Sequence, residues 1–102
     1  MAERKDRMAL LSRYDKHYLF HYETKPVYNK WAEQWAADAI IDSYGIHDCY
    51  ELLDYYFGTA EKPDWKYFSN FIDTIERAKK MKEQDDKERA ERRKKAKEWL
   101  NG

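Results

Sequence analysis

The sequence predicts an all-α fold, a small three- or four-helix domain with a long, charged, protruding C-terminal helix. Three observations predict it. Apolar residues recur at helical spacing in three separate stretches. Glycine and proline are scarce, at three and two among 102 residues, and Gly45, Gly58 and Pro63 fall between those stretches. Residues 76–99 contain no Gly, Pro or β-branched residue, so helix formers continue after the apolar stripe has stopped.

Taken in order, residues 3–13 suggest a short helix through the spacing of Met8 and Leu11. Residues 14–25 are rich in Tyr, His and charge without a clear period, and are expected as a loop or an extended piece over the core. Pro26 suits a first helical position, where its missing N–H costs nothing. Val27, Trp31 and Trp35 follow at i, i+4 and i+8; Ala39, Ile40 and Ile41 continue the face and Tyr44 closes it. This predicts a helix over 26–44, stopped by a left-handed Gly45. Asp48 and Glu51 have the form of a capping box, and Cys49, Leu52, Leu53, Tyr56 and Phe57 make the stripe of a helix ended by Gly58. Pro63 and Asp64 open the last helix. Trp65, Phe68, Ile72 and Ile75 form its buried face, which Tyr67 and Phe71 widen. Beyond Ile75, acid-before-base pairs four residues apart, from Glu76–Lys80 to Glu91–Lys95, support a solvated continuation. Unbroken from Asp64 to Trp99, this helix would span about 54 Å. Trp31, Trp35, Leu53, Phe57, Phe68 and Ile72 are expected in the core.

Charge divides the chain. The formal net is zero, but residues 1–25 carry +2, residues 26–75 carry −6 and residues 76–102 carry +4. Sixteen of the seventeen aromatic residues lie between Tyr14 and Phe71. The expected organisation is an N-terminal arm (1–25), an acidic aromatic helical core (26–75) and a charged tail with a basic end (76–102). A compact part of that size has little stability to spare, and aromatic rings are the economical way to bury area. The single cysteine, Cys49, excludes an intramolecular disulfide and points to a reducing compartment. The apolar run Met8-Ala9-Leu10-Leu11 is too short for the central region of a signal peptide, and no segment has the apolar length of a membrane span. A cytoplasmic location is expected.

No catalytic set stands out. His17 and His21 are spaced for zinc on a helix, but the surrounding segment does not read as one and lacks a second ligand pair. Two loop histidines among tyrosines is the simpler reading, and neither a metal nor a cofactor is expected. Cys49 follows His47 near a helix start, where a thiol pKa can fall, yet it also begins an apolar stripe, which favours packing. Asp38 and Asp42 share a helix face. With Glu51 and Asp54 they can form an acidic surface for a basic protein partner. The cluster Arg92-Arg93-Lys94-Lys95-Ala96-Lys97, with Arg89, suits phosphate contact; five acids over residues 83–91 dilute it. The isolated glycines exclude a Gly-rich phosphate loop.

The run Pro63-Asp64-Trp65-Lys66-Tyr67-Phe68-Ser69-Asn70-Phe71-Ile72, within Ala39 to Ile75, resembles the helical C-terminal module of DnaD-type and phage replisome-organiser proteins. In that module a helix and a short break lead to a helix of form Trp-x-Tyr-[Ile/Phe]-x-x-[Ile/Phe]. Ile75 stands in the turn where the family has a further tryptophan, and the likeness covers about a third of the chain. The resemblance implies an accessory role in DNA replication, with DNA contact from the last helix and protein contact from the core. The expected function is therefore a non-enzymatic, phage-type, nucleic-acid-associated accessory protein. Its basic residues Arg89, Arg92, Arg93, Lys94, Lys95 and Lys97 would touch DNA, and its core would touch a larger protein. The alternative is an adaptor or inhibitor whose acidic residues Asp38, Asp42, Glu51 and Asp54 occupy a basic site on a host enzyme.

Overall fold

Five helices follow one another in a computed structural model that describes residues 2–101, the side chain of Asn101 excepted. They are α1 (Arg4–Tyr22), α2 (Lys30–Tyr44), α3 (Ile46–Thr59), α4 (Trp65–Asn70) and α5 (Ile72–Asn101). No strand occurs among the described residues. α1 and α2 run antiparallel, as the ion pairs Arg7–Asp38 (3.6 Å) and Lys30–Asp15 (2.6 Å) require. Both pack on α3, and the first turns of α5 close against α3 from another side.

The core is built around Tyr14. Its buried ring meets those of Tyr18, Tyr28, Phe57 and Trp65 at centroid distances of 5.5–5.8 Å. Such tilted and edge-on pairs add roughly 0.5–1.5 kcal/mol each beyond area burial. Leu10, Leu11, Leu53, Cys49 and Phe68 are fully enclosed around it. Tyrosine hydroxyls then hold the connection between α3 and α4. The Trp65 N–H donates to Tyr14 Oη at 3.2 Å, the Asp64 N–H donates to Tyr56 Oη at 3.0 Å, and Tyr22 Oη donates to the Pro63 carbonyl at 2.7 Å. The indole N–H of Trp65 reaches Glu33 on α2 at 2.6 Å.

The N-terminal segment departs from expectation. Residues 14–22 are helical and continuous with the predicted short helix. The inward stripe of α1 is the buried Leu10, Leu11 and Tyr14, continued by the half-buried Tyr18 and Tyr22 at i+4 and i+8 from Tyr14, so a real helical face is written in an amphipathic residue that hydropathy counts as polar. α2 also differs. It begins at Lys30 rather than Pro26, because the Asn29 side chain caps it by accepting from the N–H groups of Trp31 and Ala32. Trp31 and Trp35 are 73% and 76% exposed, not core. α2 packs instead through Ala37, Ile40 and Ile41, where the small Ala37 lets neighbouring helices come close and a tryptophan would hold them apart.

Gly45 ends α2 and starts α3 as a single shared residue, at φ 83° and ψ 155°. Its φ is positive as expected. Its ψ is not that of a left-handed helix but of an extended region that is essentially restricted to glycine. α3 therefore begins at Ile46, and Asp48 lies in its first turn, where it complements the helix dipole and makes no cap bond. Gly58 sits inside α3, which runs one residue further. Asp64 caps α4, accepting from the Tyr67 N–H at 2.7 Å. The last helix is not continuous from Asp64. Phe71, at φ −122° and ψ 29°, breaks it. Just before the break the Ser69 hydroxyl and the Asn70 amide both donate to the Lys66 carbonyl, competing with the helical ladder.

Between α1 and α3, Asp54 accepts two hydrogen bonds from Arg13, at 2.9 and 2.5 Å, and pairs with His17 at 2.6 Å. The Arg13 guanidinium, more than His17, holds the Asp54 carboxyl below its ordinary value of 3.8. A carboxylate depressed in the fold stabilises it above the unfolded value, and that contribution is lost as pH falls through the folded value. The group is 40% exposed, so water screens the pair and the effect is modest. Asp54→Asn is expected to lower the melting temperature slightly at neutral pH and to flatten its fall below about pH 4, read by circular-dichroism melts from pH 7 down to about pH 2. Leu53→Ala, at a site with no exposure, is expected to cost about 2–5 kcal/mol and to lower the melting temperature by at least about 8 °C. Trp31→Ala should stay within about 0.5 kcal/mol of the parent. Equal melting temperatures for Leu53→Ala and the parent would contradict the core described here.

Candidate nucleic-acid interface

α5 leaves the core after Lys79, whose ammonium lies 3.8 Å from Glu51 on α3. Every residue from Lys80 to Leu100 is exposed. The molecule consequently measures 62 × 32 × 20 Å, and its radius of gyration of 17.5 Å exceeds the roughly 13 Å of a compact domain this size. Local pairs run along α5, from its packed turns into its free part. Asp73–Arg77, Glu76–Lys80 and Asp85–Arg89 form at 3.6, 3.3 and 3.1 Å, and Glu83 turns back to Lys79 at 2.6 Å rather than forward to Lys87. Glu88–Arg92 and Glu91–Lys95 are not drawn together.

The basic end is thus set apart from the acidic core. Along the axis, Arg92 lies about 20 Å and Lys97 about 27 Å beyond Lys79, at 1.5 Å per residue. Both distances exceed the screening length of about 8 Å at physiological salt, so the negative charge of the core does not cancel the cluster. At about 100° per residue, Arg89, Arg92, Arg93 and Lys97 fall within an arc of about 140°, together with Ala96 and Leu100. Trp99 borders that arc beside Arg92. Lys94 and Lys95 point the other way, flanked by Glu91 and Glu98. Arg89 is engaged by Asp85; among the described residues no ion pair occupies Arg92, Arg93, Lys94, Lys95 or Lys97. This is a one-sided cationic helix face with an aromatic and an aliphatic residue at its tip, able to lie along a phosphate backbone.

The four acidic candidates are placed differently from one another. Asp38 is half-buried; it accepts from the Ala2 N–H at 2.8 Å and pairs with Arg7. Asp54 is clamped by Arg13 and His17. Glu51 stands between α3 and α5 against Lys79, and Asp42 is exposed on α2. Asp38 and Asp54 are therefore not the freely solvated carboxylates that the sequence pattern suggests. Each joins two helices.

Trp31 and Trp35 line an open recess of ≈ 280 Å³ with Arg7, Gln34 and Asp38 on the α1–α2 face. The signal for this was present. Trp31, Trp35, Asp38 and Asp42 lie at i, i+4, i+7 and i+11, one face of one helix, and two carboxylates on that face mark it as outward.

His17 and His21 do lie on a helix one turn apart, but they diverge. His17 stacks on Phe57 at 5.1 Å and meets Asp54, whereas the His21 ring N–H donates to the Glu61 carbonyl at 3.1 Å. No group of three His, Cys, Asp or Glu side chains suited to a metal occurs among the described residues. No helix among them is long and apolar enough to cross a membrane. Cys49 is fully buried, its S–H directed at the Ile40 carbonyl at 3.5 Å. Burial pushes the Cys49 thiol up to about 12. Cys49 is accordingly expected to resist an aromatic disulfide reagent in the native protein at pH 8 and to react only on unfolding. Rapid stoichiometric labelling of the folded chain would show that the thiol is reachable.

Comparison with protein-family models, with curated proteins and with solved structures finds no match to this chain.

Proposed function

We propose that this chain is a non-enzymatic nucleic-acid-associated accessory protein that contacts DNA through the basic end of α5 and a protein partner through its helical core. The observation that carries this reading is the exposed cationic face of Arg89, Arg92, Arg93 and Lys97, of which the last three lie more than two screening lengths beyond Lys79. A helix with no apolar stripe has no packing reason to extend so far. A polyanion gives it one. The replication-related, phage-type and cytoplasmic parts of the proposal rest on the sequence alone. The adaptor reading through Asp38, Asp42, Glu51 and Asp54 receives less support, because Asp38 and Asp54 already hold α1 in place.

The test is charge reversal of the tail. Replacing Arg92, Arg93, Lys94 and Lys95 by Glu is expected to abolish binding to a labelled duplex at low salt while leaving the melting temperature of the core unchanged. For the parent, the logarithm of affinity should fall linearly with the logarithm of salt, with a slope of about −0.9 per phosphate contacted on duplex DNA. Equal binding by the parent and the reversed tail, or no binding by the parent at low salt, would remove the proposal.

A further inference from the structure

The α1–α2 face is unlike the rest of the compact part in two respects. It exposes two tryptophans, and the borders of its recesses are net positive. Trp31 and Trp35 stand one helical turn apart on α2, three-quarters exposed, while Trp65 is buried. Two tryptophans left in solvent on a chain so short of core are not explained by folding, since each ring could bury on the order of 150–250 Å². The recess they line holds Arg7. Further along the same helix pair, toward the α1–α2 connection, a second recess of ≈ 280 Å³ is lined by Lys16, Leu19, Lys25, Pro26 and Lys30. Lys30 of the second recess directly precedes Trp31 of the first on α2, so the two recesses adjoin. Their borders hold four basic residues, Arg7, Lys16, Lys25 and Lys30, against two acids, Asp15 and Asp38. Lys30 pairs with Asp15 and Arg7 with Asp38, which leaves Lys16 and Lys25 as the net positive charge of the borders. Over the rest of residues 1–75 there are five bases and eleven acids. The recess borders are therefore net positive on an otherwise anionic body, with Asp42 one turn beyond Asp38 as the nearest acid of the tryptophan face.

We infer that the α1–α2 face binds single-stranded nucleic acid, with bases stacked on Trp31 and Trp35 and phosphates met by Lys16 and Lys25. A positive track studded with aromatic rings is the arrangement by which single strands are held without sequence preference. The two indoles are spaced about 6 Å along α2, too far apart for both to pack on one base and suited to two bases of an extended strand. A duplex keeps its bases stacked inside and cannot use the rings. The positive charge favours an anionic occupant, and among anionic occupants a single strand is the one whose unpaired bases can use the two rings. This inference rests on the nucleic-acid reading above but adds a second contact of a different kind, which distinguishes single strand from duplex.

The experiment measures anisotropy of a labelled 20-nucleotide oligo-dT and of a labelled 20-base-pair duplex, with four proteins: the parent, W31A/W35A, W31F/W35F and the tail charge-reversal variant. W31A/W35A is expected to keep the parental melting temperature and duplex affinity, and to lose at least about 25-fold in oligo-dT affinity, from a loss of roughly fivefold or more per ring. W31F/W35F should retain most of the oligo-dT affinity, because phenylalanine still offers a ring. If W31A/W35A binds oligo-dT as the parent does, or loses both ligands equally, the inference is overturned and the tail proposal stands. If the tail variant keeps parental duplex binding, the tail proposal falls, and Trp-dependent oligo-dT binding by the same variant leaves this one standing. If the parent binds neither ligand, both fall. Sedimentation and binding to phosphatidylserine vesicles are read on the same proteins. A Trp-dependent dimer or vesicle interaction with unchanged oligo-dT binding would assign the face to a second copy or to a lipid surface, and would also overturn the inference.

Discussion

The hydrogen bond from the Trp65 amide to the Tyr14 hydroxyl joins residues fifty-one positions apart, and the rest of the fold is arranged around it. It fixes α1, the first helix, to the entry of α4, which has no other long-range anchor of comparable burial. The Tyr14 ring meanwhile supplies the hydrophobic centre against which α3 packs. A core drawn from about seventy-five residues cannot bury a long connection without leaving backbone groups unpaired. Tyrosine answers both demands, since one side chain contributes area and a polar end. Tyr22 and Tyr56 repeat the device at Pro63 and Asp64. Among the described residues no buried side-chain nitrogen or oxygen lacks a partner.

The same residue choice explains what was legible in the sequence. α3 was plain because its buried face is Cys49, Leu52, Leu53, Tyr56 and Phe57, mostly apolar by any scale. The long charged helix was plain because nothing in residues 76–99 can stop it. α1 was only half legible, since its second half turns Tyr14, Tyr18 and Tyr22 inward, the first buried and the others half-buried, and their hydroxyls disguise a helical period as polar texture. On α2 the period was read correctly and the phase was not. Trp31 and Trp35 offer far more area to bury than Ala37, yet close helix approach selects the small residue. The break at Phe71 depended on the Ser69 and Asn70 side chains finding the Lys66 carbonyl, a contest between local hydrogen bonds that spacing alone does not decide. Gly45 was legible as a stop, but not that one residue would serve two helices.

The candidate surfaces were legible unevenly for a related reason. A run of basic residues on a helix without an apolar face has nowhere to go but solvent, so its exposure follows from the sequence. Carboxylates in a folded body have options. Asp38 and Asp54 found arginines on α1, and in doing so became part of the scaffold. What identified the acidic candidates was their number. What decided their role was the position of Arg7 and Arg13, which only the packing of α1 reveals.

The segregation of charge has a consequence that net charge conceals. Residues 1–75 carry −4 and residues 76–102 carry +4, and α5 keeps the two apart along the long axis of the molecule. The protein is therefore a neutral particle with a large permanent electric dipole. In a uniform medium it feels no net pull from a distant charge, and bulk properties such as migration in an electric field near neutral pH reflect the cancellation. In the steep field beside a polyanion it is turned before it is touched, tail inward and acidic body outward. Orientation then precedes contact, and the approach geometry is set by the length and stiffness of a single helix.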